Sequence, residues 1–100
     1  AGQILTEQVV YEPGSGQLLS ASFMDYAMPR ADVMCDMDVI SKPVPTASNP
    51  LGVKGAGEAG CVGALLAVML AVMNALKPLG VRELDMPATS ERVWRAINRI

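Results

Sequence analysis

The alternation of apolar and polar residues changes period several times along this chain, and each change marks an expected element. Gln3–Glu7 has the composition of a helix end. Gln8-Val-Val-Tyr-Glu12 and Leu18-Leu-Ser-Ala-Ser-Phe23 have strand composition. Between them, Glu12-Pro-Gly-Ser-Gly-Gln17 carries the proline and glycines of a turn, so a hairpin with a longer loop is predicted. Met24–Asp32 is irregular. Cys35-Asp-Met-Asp-Val-Ile40 alternates polar and apolar side chains, as a half-buried strand does. Ala59–Leu76 runs without a charge and predicts a helix. Lys77-Pro78-Leu-Gly80 ends it, since proline continues a helix poorly and glycine suits the exit turn. Val81–Leu84 reads as a short strand. Thr89 is placed to cap a last helix through Val93, Trp94 and Ile97, with Glu91 in the first turn, where the helix dipole favours an acid. The sum is an α+β pattern: a hairpin, a long buried helix and a terminal helix, with no internal repeat.

The helix Ala59–Leu76 is apolar on every face. It reaches the length floor of about 18 residues for a membrane span. Gly60, Gly63, Asn74 and many alanines point instead to a helix buried in a large soluble protein, and no membrane span is expected. A helix bare on all faces implies more protein around it than 100 residues supply. Ala1 opens the chain inside helical sequence, with no methionine and no cap. Residues 1–100 are therefore expected to be one fragment of a larger domain.

Composition narrows the chemistry. Half the residues are hydrophobic, which excludes a disordered tail. Net charge is −2 and the eight Lys and Arg are scattered, which excludes a nucleic-acid footprint. The absence of histidine removes Ser-His and Cys-His catalysis and the commonest metal ligand. Cys35 and Cys61 lack zinc spacing; a disulfide between them stays open, and Cys61 is expected as a small buried residue. No signal-peptide pattern opens the chain, so a cytoplasmic setting is expected. Met69 and Met73, one turn apart, should share a packing face. Trp94 should anchor the last helix, and Asp25 and Arg30 lie within reach of a surface pair.

The chemistry concentrates in Gly55-Ala-Gly57-Glu58-Ala-Gly60. The glycines match G-x-G-x-x-G, and Glu83 or Asp85 stands where a ribose acid would. That motif needs a buried strand leading into its first glycine. The lead-in here holds Pro43, Pro45 and Pro50, each of which removes a ladder donor, so dinucleotide binding is rejected. What remains is a carboxylate in a glycine-packed loop before a long helix. It is either a first-turn acid favoured by the helix dipole or an acid aimed at a reacting atom.

Three runs carry a resemblance: Gly16-Gln-Leu-Leu-Ser-Ala-Ser-Phe-Met-Asp-Tyr-Ala-Met-Pro-Arg-Ala31, Asn49-Pro-Leu-Gly-Val-Lys-Gly-Ala-Gly-Glu-Ala-Gly60 and Met86-Pro-Ala-Thr-Ser-Glu-Arg-Val-Trp-Arg-Ala-Ile97. In this order and spacing the chain resembles the C-terminal part of the molybdopterin-binding domain of molybdenum hydroxylase large subunits. That family spans xanthine dehydrogenase, aldehyde oxidoreductase and aerobic carbon monoxide dehydrogenase types. The resemblance implies that Glu58 is the active-site base beside molybdenum, without being a metal ligand. It implies that Lys54, Gly55, Ala56 and Gly57 form the cofactor loop. The implied reaction is oxidation or hydroxylation of a small substrate with water as the oxygen source. The implied cofactor is molybdenum-molybdopterin in its cytosine dinucleotide form. The implied partners are the rest of the large subunit, a [2Fe–2S] small subunit and an FAD medium subunit. The 100 residues alone are not expected to be active. The alternative is a non-catalytic structural or assembly module derived from such a subunit.

Overall fold

The computed structural model describes residues 1–100. Three α-helices are present: α1 (Gly2–Leu5), α2 (Ala59–Leu76) and α3 (Ser90–Asn98). Short 3₁₀ turns at Ala31–Val33 and Lys77–Leu79 complete the regular structure. The Cα radius of gyration is 18.1 Å, against about 13 Å for a compact domain of this length. The chain is an open arrangement, and six of its residues are buried.

Those six mark where the elements meet. Gly2 and Ile4 of α1, Leu76 at the end of α2, Val81, Pro87 and Ala88 are the buried residues, and α1 lies against α2. Ile4 is fully buried, and its carbonyl accepts from the Ala88 amide. Gly2 is required by this packing: a β-carbon there would run into the Glu7 carboxylate and lie 2.6 Å from Pro29 Cγ. Tyr26 Oη donates to Glu7 Oε1 at 2.8 Å and ties the irregular segment to the same corner. The bond to a carboxylate raises the Tyr26 pKa above its ordinary value.

The helix Ala59–Leu76 has the bounds its uncharged run predicts. Lys77–Leu79 tightens into a 3₁₀ turn, and Gly80 leaves it at φ 81°. Thr89 caps α3, its Oγ1 accepting from the Arg92 amide at 3.3 Å, and Glu91 pairs with Arg95 at 2.9 Å. Arg92 Nη1 donates to the Met86 and Pro87 carbonyls at 2.7 and 3.2 Å, which fastens α3 to the segment before it.

Several expectations are corrected. The β half of the pattern reduces to one antiparallel bridge, Tyr11 to Leu18, beside a Leu19 amide bond to the Val10 carbonyl. Two strands without a third or a packed face gain little in water. The turn itself is well built. Glu12 accepts from the Gly14 and Ser15 amides, and Gly16 takes φ 71°. Ser15's hydroxyl, then the Gly14 and Ser15 amides, hold the Glu12 carboxyl below its ordinary pKa. Cys35–Ile40 and Val81–Leu84 are not strands, because no neighbouring strand in this chain offers them a ladder. Asp25 accepts from Ser22 Oγ at 3.0 Å rather than pairing with Arg30. Cys35 and Cys61 are free and exposed.

The largest correction concerns burial. The expected buried helix is covered on one side only. Ala64, Leu65, Val68, Met69, Val72 and Met73 are half-buried and Leu76 is buried, so Met69 and Met73 do share a packing face. Val62, Leu66 and Leu70 on the other side are exposed. By length and composition Ala59–Leu79 also suffices to cross a membrane. Trp94, expected as an anchor, is exposed on α3, as this chain places nothing over that face.

Ile4→Ala is expected to remove the centre of the small core, at a cost of about 2–5 kcal/mol. A lower midpoint in denaturant unfolding of the protein checks it, and Ile4→Val should cost about 0.5–1.5 kcal/mol.

Candidate active site

The glycine loop is suspended between two fixed ends. Its upstream end is a compact turn over Thr46–Val53, organised by one side chain. Asn49 Oδ1 accepts from the Leu51 amide at 3.1 Å and the Val53 amide at 3.3 Å, while Asn49 Nδ2 donates to the Val53 carbonyl at 2.9 Å. The Thr46 amide donates to the Gly52 carbonyl at 3.0 Å and closes the turn. Gly52 sits at φ 67°, a conformation that side-chain-bearing residues rarely take. A β-carbon there would also come 3.0 Å from Pro45 Cβ.

The downstream end is the first turn of α2. The Ala59 amide donates to the Ala56 carbonyl at 3.3 Å, and the Val62 amide to the Glu58 carbonyl at 3.0 Å. Glu58 occupies the N-cap position with φ −109° and ψ 3°. Its backbone begins the helix, yet its side chain makes no capping bond and no ion pair. It is exposed at the mouth of the loop.

Between these ends Lys54, Gly55, Ala56 and Gly57 are exposed and contiguous. The structure thus brings Glu58 and the four loop residues together on one short stretch of surface. Nothing lies within 4 Å of the β-carbon that Gly55, Gly57 or Gly60 would carry. The space beside the loop is open, and the backbone is bare enough to approach a flat ligand closely. No cluster of three or more Cys, Asp or Glu side chains stands ready to hold a metal ion. The donor set, backbone and one lysine with a carboxylate alongside, is compatible with a large organic cofactor. The sequence reading missed Asn49. Its signal was present: an Asn-Pro pair ahead of a glycine favours an Asx turn, in which the side chain replaces a backbone partner.

Comparisons with known proteins place the whole segment in sequence and fold. No family model matches the chain. A nicotine 6-hydroxylase large subunit of Paenarthrobacter nicotinovorans is 39% identical over 99 residues, which is 99% of this chain and 12% of that protein. A carbon monoxide dehydrogenase large chain of Hydrogenophaga pseudoflava is 37% identical over 82 residues, 82% of this chain and 10% of that one. The crystal structure of quinoline 2-oxidoreductase from Pseudomonas putida 86 superposes with a TM-score of 0.84 at 36% identity, over 94% of this chain and 12% of its own. In sequence and fold the chain corresponds to a segment of molybdenum hydroxylase large subunits, and it spans about a tenth of the length of these relatives.

Gly52→Ala is expected to loosen the turn that leads into the loop, because the φ it needs costs a β-carbon-bearing residue about 1–2 kcal/mol. Faster amide exchange at Thr46, whose amide bonds the Gly52 carbonyl, checks it.

Proposed function

We propose that this segment forms one wall of the active site of a molybdenum hydroxylase, with Glu58 as general base. The reaction is oxidation or hydroxylation of a small substrate with water as the oxygen source. One observation carries the reading: Glu58 begins α2 through its backbone while its carboxylate has no partner in the chain. An acid serving as a helix cap would accept from an amide of the first turn. This one is left free, next in sequence to a loop whose glycines have open space beside them.

Lys54, Gly55, Ala56 and Gly57 would hold the molybdenum-molybdopterin cofactor, taken here in its cytosine dinucleotide form. When bound, the cofactor supplies the redox chemistry and makes the attacking oxygen more acidic. Gly55 and Gly57 keep β-carbons out of the contact. Lys54 brings a cation to an otherwise neutral loop, where phosphate or pterin oxygens can accept from it. Glu58 takes the proton from the oxygen nucleophile, a step worth about 10²–10⁴ in rate. The small-molecule substrate enters the space in front of Glu58. An iron-sulfur small subunit with [2Fe–2S] clusters and an FAD medium subunit would be the partners that accept the electrons. The remainder of the large subunit supplies the other walls and covers the exposed side of α2. The complex works in the cytoplasm.

Glu58→Gln in the assembled enzyme should keep the fold and the molybdenum content, since glutamine is nearly isosteric. The limiting rate of substrate-driven reduction should fall by at least about 10²-fold, with little change in substrate binding. Stopped-flow reduction beside metal analysis checks it, and a normal rate at full metal occupancy would leave Glu58 as a helix-start acid.

The exposed side of α2 gives a second expectation. The chain expressed alone should self-associate and bind no molybdenum, because a contiguous apolar patch promotes association. The assembled complex should be recovered without detergent. Release from the membrane pellet only by detergent would show that α2 is covered by lipid instead.

A further inference from the structure

We infer that Asn49 is a positioning residue for Glu58, acting through the chain between them; the inference rests on Glu58 being the base. Apart from the Ala56 carbonyl, which accepts from the Ala59 amide at 3.3 Å at the helix end, the loop Lys54–Gly57 has no anchor of its own. No side chain or backbone atom lies within 4 Å of where a β-carbon would stand on Gly55 or Gly57. Two glycines in four residues also leave the backbone free to take many paths. The path is therefore fixed from its two ends. One end is α2, which fixes where Glu58 begins the helix. The other end is Val53, the residue before Lys54.

Val53 is held through both its amide and its carbonyl by the same side chain. Asn49 Oδ1 takes its amide and Asn49 Nδ2 gives to its carbonyl, while Oδ1 also takes the Leu51 amide. Three bonds from one side chain set both position and direction of the chain entering the loop. An amide side chain alone offers a neutral acceptor and donor at this span. Gly52 supplies the positive φ that lets the backbone wrap around it. Catalytic geometry is sensitive at this scale, and a misplacement of about 1 Å can cost 10²-fold in rate.

Asn49→Ala, Asn49→Asp and Glu58→Gln in the assembled enzyme test it together. Three quantities are read: amide exchange at Leu51 and Val53, molybdenum content, and the limiting rate per bound molybdenum. Asn49→Ala should speed exchange at both amides and lower the rate per molybdenum by about 10-fold or more, with half-saturating substrate little changed. Asn49→Asp keeps both acceptor bonds and loses the donor to the Val53 carbonyl, so it should recover part of the rate and most of the protection. A role in stability alone would lower molybdenum content and leave the rate per molybdenum unchanged. That result, beside a slow Glu58→Gln enzyme, overturns the positioning role by itself. A normal rate in Glu58→Gln overturns the base assignment and the positioning role with it. Unchanged exchange at Leu51 and Val53 in Asn49→Ala overturns the clamp.

Discussion

An 18-residue helix without a charge must leave water on all sides, and this chain covers one side of it. The rest of the architecture follows from that imbalance. The covered side ends at Leu76, and there the chain gathers its few buried residues, with Ile4 and Ala88 joined through a backbone bond. The other side leaves Val62, Leu66 and Leu70 in solvent. Burying such side chains is worth about 1.5–3 kcal/mol each, so the helix is more stable with them covered than left in water. The exposed Trp94, Phe23 and Met24 raise the same demand on other faces.

Helices were legible in the sequence because their signals are local. The uncharged run gives α2 its bounds, and Lys77-Pro78-Leu-Gly80 gives its exit. Thr89 and Glu91 give the start of α3 through a cap and a first-turn acid. Strands were not legible, since a strand is defined by its partner. Cys35–Ile40 alternates as a strand does, yet nothing in the chain pairs with it. Burial failed for the same reason. Composition says that Cys61 and Trp94 would be stable inside a core, not that these residues supply one.

The site divides along the same line. That Glu58 sits with Lys54–Gly57 is fixed by contiguity and was readable as a motif. That its carboxylate stays out of the capping role needed coordinates, because an acid at a helix start usually has a use there. Asn49 was hidden among prolines, where its neighbours drew attention to what the segment could not be. Its three bonds organise a turn that the excluded strand would have replaced.

A loop of this kind can be a catalytic wall only if its freedom is removed from outside. Glycines at 55 and 57 open space for a ligand and, by the same property, give up every side-chain contact that could hold the loop still. The chain places its order at the two ends: helix on one side, an asparagine-held turn on the other. A base must also meet its proton within hydrogen-bond reach, and nothing in these 100 residues presents that proton. On the proposed reading, the carboxylate is half of a pair whose other half would lie on the cofactor beside the loop. That reading accounts for a free, unpartnered acid at the start of an otherwise apolar helix.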